Sequence, residues 1–403
     1  MNTEPNFSQL VYPYKITDFF QSFWEKNYLY INRNNYSFYN NILDNNDIDN
    51  FLQNQKLQAE CDNFFLVKDG NSLDFKNWSK QESKSHQYIV NNKKLFEFLH
   101  QGFTLVINGV HKSIPKLIKF CNLLESELKF RIRANIYITP PTAQGLLPHY
   151  DEHDVCILQI HGTKIWHLYH SPIQLPSQQK DQRIGLHSLE KPEFEVELKP
   201  GDLLYIPRGL IHQAFTTDTN SIHIALGLYP TYWFELLQDL VELAKENPAF
   251  RRAIPNEFMN DDQKSFFKEK FRQICQDLVT NLDVDTLLET KSHQFIVNKR
   301  SQDESRFKDW LLINQINLNS ILSRRKGILF SIDKDKSNIH INFYNKSLTF
   351  PIFFAPSLST ILYSDRFAVK DIGGLINNKG KIKLVTKFIQ EGFLKIESIN
   401  ADD

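Results

Sequence analysis

The hydrophobic pattern of the chain changes character near residue 131 and again near residue 230. Before residue 131 apolar side chains recur at helical spacing, most clearly in residues 114–128. Between residues 131 and 230 the apolar runs shorten to strand length, with turn residues between them. After Pro230 helical spacing returns, and beyond about residue 300 strand-like and helical patterns mix. The pattern therefore predicts an α+β protein with a strand-rich centre.

The segment Arg131–Thr139 alternates strictly between two kinds of side chain. One face of the predicted strand carries Ile132, Ala134, Ile136 and Ile138. The other face carries Arg133, Asn135, Tyr137 and Thr139. Because successive side chains of a strand point to opposite faces, a barrel with the second face inward would have a polar lumen.

Two further strands are predicted on either side of His161-Gly162-Thr163. The runs 155–160 and 164–169 are apolar and of strand length, and their short separation predicts a β-hairpin. Pro200-Gly201-Asp202 predicts a turn before a strand at residues 203–206. The centre of the chain therefore has the pattern of an antiparallel barrel or sandwich.

Composition narrows the class of protein. A length of 403 residues predicts more than one domain. The 47 basic and 47 acidic residues leave no global field for binding nucleic acid or an anionic membrane. The four cysteines form no C-x-x-C pair, which fits a reducing cytoplasm. No window approaches 18 uninterrupted apolar residues, and the first residues lack the pattern of a signal peptide, so we expect a soluble cytoplasmic protein without a membrane partner.

Three residues of the strand-rich centre have the side chains and the spacing of a metal site. His149 and Asp151 lie two apart after Pro148, which favours an extended chain on which both point the same way. A return strand after the bend at residues 207–209 could bring His212 opposite this pair. Two imidazoles and one carboxylate leave three positions open on an octahedral ion, as non-haem iron(II) oxygenases require. An isolated H-x-D pair is common by chance, so the prediction depends on these residues occurring together with the next set.

The same region offers a cation for the distal carboxylate of an organic cosubstrate. Lys164 opens the second strand of the predicted hairpin and shares a face with Trp166 and Leu168. Such neighbours are unusual for a solvated lysine, although a lysine that only snorkels from a hairpin surface is the alternative. Asn135 and Tyr137 on the polar strand face could donate hydrogen bonds to the same ligand.

Three segments resemble the JmjC-type ribosomal oxygenases. They read NIYITPPTAQGLLPHYD at residues 135–151, VCILQIHGTKIW at 155–166 and PGDLLYIPRGLIHQ at 200–213. Shorter similarities near both ends extend the resemblance over nearly the whole chain. It implies a double-stranded β-helix, the jelly roll of the cupins, in residues 1–230. It also implies a helical dimerisation segment in residues 231–300 and a winged-helix-like domain in residues 301–403.

The resemblance also implies an activity. The family hydroxylates protein side chains, His or Arg in ribosomal proteins, with Fe(II), O2 and 2-oxoglutarate. We therefore expect a 2-oxoglutarate-dependent hydroxylase of a protein or peptide, with a ribosomal protein as the substrate and a homodimer as the assembly.

Residue roles carry over by position. The iron ligands implied are His149, Asp151 and His212. The cosubstrate residues implied are Lys164, which would pair with the distal carboxylate of 2-oxoglutarate, and Asn135 and Tyr137, which would line the pocket. Ala225 departs from the family pattern, because members can place near this position a hydroxyl that assists cosubstrate binding.

Other functions remain open from the sequence. The substrate could be a precursor peptide of a natural product, or the barrel could be a non-catalytic cupin-like binding module. A small basic cluster could instead bind nucleic acid; it consists of Lys379, Lys381, Lys383 and Lys387. The neutral charge balance favours a solvated helix face there, so nucleic acid is not an expected partner.

Overall fold

The computed structural model describes residues 5–53, 56–58, 63–81, 87–177, 189, 191–256, 261–299 and 306–400. The chain divides into two compact units, Met1–Pro230 and Thr231–Asp403. The first unit has the helices α1 Phe7–Val11, α2 Ile16–Ser22, α3 Asn45–Gln53, α4 Asn92–His100 and α5 Pro115–Leu128. Its strands are β1 Leu29–Ile31, β2 Lys56–Gln58, β3 Phe64–Lys68, β4 Asn71–Leu73, β5 Ser79–Gln81, β6 Gln87–Val90, β7 Thr104–Ile107, β8 Arg131–Thr139, β9 Asp154–His161, β10 Lys164–Leu168, β11 Phe194–Leu198, β12 Leu203–Ile206, β13 His212–Phe215 and β14 Ser221–Tyr229.

Two antiparallel sheets pack face to face in the first unit. The large sheet has the order β1-β12-β9-β14-β8-β7-β3-β4, and the small sheet has the order β11-β10-β13. Apolar side chains of both sheets form one core between them, with Val155, Ile157 and Leu204 from the large sheet and Trp166 and Leu168 from the small one. A third sheet, β2-β6-β5, belongs to the N-terminal part of the unit. This is the jelly roll expected from the sequence.

The other face of the large sheet packs against helices. The stripe predicted for α5 is buried, and Ile132, Ala134 and Ile136 of β8 belong to the same core. Because β9 is covered on both faces, its sequence is almost continuously apolar where β8 alternates. The strand predicted at residues 131–139 is confirmed, and its polar face points away from the helices.

The hairpin predicted around residues 161–163 is wrong. β9 pairs with β12 and β14, whereas β10 pairs with β11 and β13 in the small sheet. The chain therefore turns a corner from one sheet to the other at Gly162. Both edges of β9 are already hydrogen-bonded, which leaves no edge for β10. The short loop length misled the prediction because a hairpin and a sheet-to-sheet corner can have equally short connections.

Gly162 at this corner has no room for a side chain. Its φ is +60°, and a Cβ there would lie 1.6 Å from the carbonyl oxygen of Asn220. We expect Gly162→Ala to lower the free energy of unfolding by about 2–4 kcal/mol, measured by urea denaturation. Gly109→Ala is the matched control, because Gly109 also has a positive φ, +70°, but nothing within 4 Å of a Cβ; it should cost about 1–2 kcal/mol. Equal losses would show that the close approach at Gly162 does not matter.

The second unit begins with helices and ends in a mixed region. Its helices are α6 Trp233–Ala244, α7 Pro248–Arg251, α8 Lys264–Thr280, α9 Val284–Val297, α10 Arg306–Leu312, α11 Ala355–Tyr363 and α12 Asn378–Gln390. Its strands are β15 Ile321–Arg324, β16 Ser331–Lys334, β17 Asn338–Phe343, β18 Lys346–Pro351, β19 Arg366–Ala368 and β20 Leu394–Ser398. They form two three-stranded sheets, β19-β15-β20 and β16-β17-β18, which share one apolar core with α11 and α12.

The four lysines of the basic cluster all lie on α12. Lys381 donates a hydrogen bond to the carbonyl of Lys370 at 2.7 Å, and Lys387 forms an ion pair with Glu391 at 2.8 Å. These contacts within the unit engage two of the four lysines. Among the described residues, no helix has the length and apolarity needed to cross a membrane.

Candidate metal centre

The three predicted metal ligands meet at one end of the jelly roll. His149 lies on an extended segment after Pro148, Asp151 follows it by two residues, and His212 is the first residue of β13. One ligand atom from each lies within 4.8 Å of the others. The rings of His149 and His212 have their centroids 4.4 Å apart, and His212 Nε2 lies 3.7 Å from Asp151 Oδ2.

Backbone hydrogen bonds hold these side chains together. The amide of His149 donates to the carbonyl of His212 at 3.1 Å, and the amide of His212 donates back to His149 at 2.8 Å. The amide of Gly209 donates to the carbonyl of Asp151 at 2.9 Å. The bend at Gly209, where φ is +86°, thus returns the chain so that β13 starts opposite the first two residues. The return strand inferred from the sequence brings His212 to the pair.

Each histidine has one ring nitrogen tied to the backbone. His149 Nδ1 lies 2.8 Å from the carbonyl of Leu147, and His212 Nδ1 lies 3.0 Å from the carbonyl of Leu210. Since a carbonyl only accepts, both Nδ1 atoms carry the proton, and the Nε2 lone pairs remain available for an ion.

Electrostatics keep the cluster in its ligating state. Burial, with the neighbouring His149, lowers the pKa of His212 to about 4, so this imidazole is neutral near pH 7. Burial opposes ionisation of Asp151, but the adjacent His149, His212 and His153 outweigh it and hold the pKa of the carboxyl below its usual value. Two imidazoles and one carboxylate are a donor set that suits a divalent transition metal.

Lys164 lies buried in the same cavity. Its side chain is 4% exposed, and Nζ donates a hydrogen bond to Thr139 Oγ1 at 2.8 Å. Burial lowers the pKa of its ammonium from 10.5 to about 7. The snorkelling alternative is therefore wrong, because β10 belongs to the small sheet and turns this face into the jelly roll rather than to solvent. A buried ammonium has a large desolvation cost that an anionic ligand would offset.

The cavity has a volume of about 400 Å³, within the range of small-molecule sites. Every residue singled out from the sequence lines it: Asn135, Tyr137, His149, Asp151, Lys164, His212 and Ala225. Asn135 Oδ1 accepts a hydrogen bond from the amide of Gly109 at 2.9 Å. Ala225 pairs with Asn135 across β14 and β8 and also lines the cavity, where its methyl group offers no hydrogen bond.

His223 is a buried lining residue that the sequence interpretation missed. It is 3% exposed, its ring stacks on Tyr137 at 4.8 Å, and its Nδ1 has no hydrogen-bond partner among the described residues. Burial, with a smaller contribution from Lys164, lowers the pKa of His223 well below its usual value. The signal was the alternation along β14, where Ser221, His223 and Ala225 share a face. The unpartnered nitrogen beside Lys164 indicates that the polar base of the cavity is built for a ligand.

A family model described as JmjC domain matches residues 109–236, which include the whole metal cluster. Human ribosomal oxygenase 1 is 26% identical over 311 residues, covering 72% of this chain and 47% of the human protein. The bifunctional lysine-specific demethylase and histidyl-hydroxylase NO66 of Dictyostelium discoideum is 30% identical over 259 residues, covering 62% of this chain and 49% of that protein. The chain thus spans about half the length of the curated relatives it matches.

Solved structures show the same fold. The X-ray structure of ycfD from Escherichia coli aligns with a TM-score of 0.55 and 16% identity, covering 94% of this chain and 98% of that one. The Escherichia coli ribosomal oxygenase YcfD in complex with cobalt and 2-oxoglutarate aligns with a TM-score of 0.54 and 16% identity, covering 95% and 98%. Residues 109–236 thus match the JmjC domain, and the chain is similar in sequence to proteins named ribosomal oxygenase.

Proposed function

We propose that the protein is an Fe(II)- and 2-oxoglutarate-dependent oxygenase that hydroxylates a side chain of a protein or peptide. One observation carries the proposal: a two-histidine, one-carboxylate cluster and a buried lysine line the same cavity. The cluster has the composition of a facial iron site with open positions, and the lysine suits the far carboxylate of a dicarboxylic acid. The complex of Escherichia coli YcfD with cobalt and 2-oxoglutarate supports the same pairing of metal and cosubstrate.

In this proposal His149, Asp151 and His212 hold the iron, and Lys164 binds the distal carboxylate. Iron(II) with 2-oxoglutarate would supply the activation of O2 and the transfer of one oxygen atom to a C–H bond. The Nδ1 hydrogen bonds of both histidines fix the ring orientations and leave the Nε2 atoms as the donors that would hold the ion. Asn135 and Tyr137 would orient the cosubstrate, and the apolar wall at Val155, Ile157 and Trp166 excludes water from it.

The direct test is cosubstrate turnover. Purified protein with Fe(II), ascorbate and 2-oxoglutarate should form succinate, and it should do so faster when the substrate is present. If no succinate forms under any condition while the protein is folded and retains iron, the proposed activity is wrong.

The proposed substrate is a ribosomal protein, with histidine or arginine as the modified residue. The names of the human and Dictyostelium relatives support this class, since they specify a ribosomal oxygenase and a histidyl-hydroxylase. Mass spectrometry of the cell's ribosomal proteins, with and without this gene, should show one hydroxylation that disappears on deletion. Unchanged ribosomal proteins together with intact 2-oxoglutarate turnover would exclude this substrate and retain the activity.

We also propose that residues 231–300 form a helical dimerisation segment and residues 301–403 a winged-helix-like domain. Support for the division is that α6 to α9 end at Val297, before the strands and helices that share the second apolar core. Support for dimerisation is an apolar stripe on α6: Trp233 is 84% exposed, Leu237 61% and Val241 58%. An exposed stripe of this kind commonly marks an interface.

The stripe on α6 predicts an effect on assembly. Leu237→Asp should convert a dimer to a monomer, because it would bury an unpaired carboxylate in an apolar interface. Light scattering coupled to size-exclusion chromatography measures the change. Gln238→Asp, one residue further along the same helix, introduces the same charge beside the stripe and should leave the dimer intact. A monomeric wild-type protein, or a dimer unaffected by Leu237→Asp, would contradict dimerisation through α6.

A further inference from the structure

The cavity has an uneven distribution of charge between its base and its mouth. Among the described lining residues, the carboxylate is Asp151, which belongs to the metal cluster, whereas the lysine and arginine side chains are Lys112, Arg133 and Lys164. Lys164 lies buried at the base, and both Lys112 and Arg133 are exposed. A polypeptide that approaches the metal cluster therefore meets positive charge first.

Arg133 is held in place at this mouth. It is the outermost lining residue on the polar face of β8, followed inward by Asn135 and Tyr137. Its guanidinium carbon lies 4.6 Å from the centroid of the Tyr229 ring, a cation–π contact. Among the described ion pairs, none joins a carboxylate to Arg133, so its charge is not neutralised by these partners.

A second aromatic contact completes a cluster of three side chains. His153, just before β9, stacks on Tyr229 with ring centroids 4.5 Å apart and an interplanar angle of 19°. Gly227 makes the space for it, because a Cβ at this position would lie 2.8 Å from His153 Cδ2 and 2.9 Å from Tyr229 Cε2. We call Arg133, His153 and Tyr229 the rim cluster. It fixes a guanidinium at the mouth on a rigid platform of neighbouring strands.

The rim cluster discriminates between entering side chains by their charge. A lysine or arginine side chain passing the mouth would bring a second cation beside Arg133 and Lys112, while Asp151, the carboxylate among the described lining residues, belongs to the metal cluster. An aspartate or glutamate near the entering residue would instead form a charge-assisted, two-point hydrogen bond with the guanidinium. For a partly exposed pair, such a charge effect changes affinity by about fivefold.

We propose that the rim cluster selects an uncharged target side chain flanked by acidic residues, with Arg133 as the specificity-determining residue. The inference rests on the proposed function, in which a polypeptide side chain enters this cavity. Within that function it favours an imidazole or an amide over a guanidinium or an ammonium as the modified group.

Peptide binding tests the inference without turnover. Full-length protein is loaded with cobalt(II) and 2-oxoglutarate under argon, and matched peptides are titrated by fluorescence anisotropy. The peptides share a Gly/Ser frame and differ in the central residue, His, Gln, Lys or Arg, and in its two neighbours, Asp, Asn or Lys. The wild-type protein should bind the Asp-flanked His or Gln peptides at least about fivefold more tightly than the Lys-flanked or cation-centred ones.

Two charge-reversal variants distinguish an effect of the rim cluster on peptide binding from an effect of the general surface charge. Arg133→Glu should abolish or invert the preference for acidic flanks. Arg131→Glu is the matched control, because Arg131 is an exposed arginine on the same strand that does not line the cavity, and it should leave the preference unchanged. Gly227→Ala should weaken the preference as well, since it displaces His153 and the Tyr229 platform.

The outcomes distinguish this inference from the proposed function. The inference would be overturned if all peptides bound equally or if none bound. It would also be overturned if Arg133→Glu kept the preference for acidic flanks or if Arg131→Glu lost it equally. Succinate formation by the same purified protein with Fe(II), assayed with and without peptide, reports separately on the proposed function. Succinate without charge preference removes the rim inference alone, and charge preference without succinate removes the proposed activity alone.

Discussion

Asp151→Ala should abolish iron retention and succinate formation. The substitution removes the one carboxylate of the cluster and leaves two imidazoles. Losing a hydrogen-bonding partner of a metal ligand typically costs about 10–100-fold in metal affinity or activity. Losing the ligand itself should cost at least about 100-fold. Iron per chain, measured by inductively coupled plasma mass spectrometry after desalting, and succinate yield measure the effect.

Glu152→Ala is the matched control for Asp151→Ala. It removes a carboxylate from the adjacent position, outside the metal cluster and outside the residues that line the cavity. Iron content and succinate formation should stay within about twofold of wild type, the scale of a surface substitution. An Asp151→Ala protein that still holds iron, or a Glu152→Ala protein that loses it equally, would show that the metal lies elsewhere.

Lys164→Met should remove most of the affinity for 2-oxoglutarate and leave iron binding unchanged. The buried ammonium donates a described hydrogen bond to Thr139, which leaves further donors for the carboxylate of the cosubstrate. Truncating one partner of a buried charge pair costs about 2–5 kcal/mol, or at least about thirtyfold in affinity. Calorimetric titration of 2-oxoglutarate into the cobalt-loaded protein measures the loss.

The same substitution should stabilise the protein without ligand. The pKa of Lys164 falls from 10.5 to about 7 on folding, so below pH 7 a charge is buried at a cost of about 1.4 kcal/mol for each unit of the difference. Methionine has a similar length and no charge, and such replacements stabilise by about 1–4 kcal/mol. Between pH 7 and pH 10.5 the unfolded chain binds the proton that the folded chain has lost, so wild-type stability rises with pH. The advantage of Lys164→Met should therefore be largest at about pH 6–7 and shrink towards about pH 10.

Urea unfolding at several pH values measures this trend, with Lys199→Met as the control. Lys199 is about half exposed beside Glu197, and its replacement should change the free energy of unfolding by less than about 0.5 kcal/mol at every pH. A Lys164→Met protein that is less stable than wild type at low pH would show that the lysine is paired in the folded state. Unchanged affinity for 2-oxoglutarate would remove Lys164 from the proposed cosubstrate site.

Local patterns were sufficient for the elements that carry the site. The alternation of Arg131–Thr139 and the stripe of α5 follow from the roughly 2.0 and 3.6 residue periods of strands and helices. The H-x-D spacing after Pro148 places two side chains on one side of an extended segment, and the bend before His212 returns the chain. Each of these depends on backbone geometry over a few residues, which the residue types themselves determine.

Local patterns did not predict which strands pair with one another. β9 and β10 were predicted as a hairpin, but β9 is paired on both edges and β10 lies in the other sheet. His223 was overlooked because a lone histidine in a strand has no motif, and its contact with Tyr137 depends on the pairing of β14 with β8. The sequence also left open whether Lys164 is buried, since the opposite sheet decides whether a strand face is solvated.

By itself, the sequence determined the strand and helix periods, the residues able to bind a metal and the family that the segments 135–151, 155–166 and 200–213 resemble. The tertiary structure alone decided that His149, Asp151 and His212 lie within 4.8 Å of one another, that Lys164 and His223 are buried at the base of one cavity and that Arg133 stands at its mouth. The physical reason is that spacing and periodicity are properties of neighbouring residues. Burial, pKa and the meeting of distant side chains arise only when strands far apart in the chain pair and two sheets close over a common core.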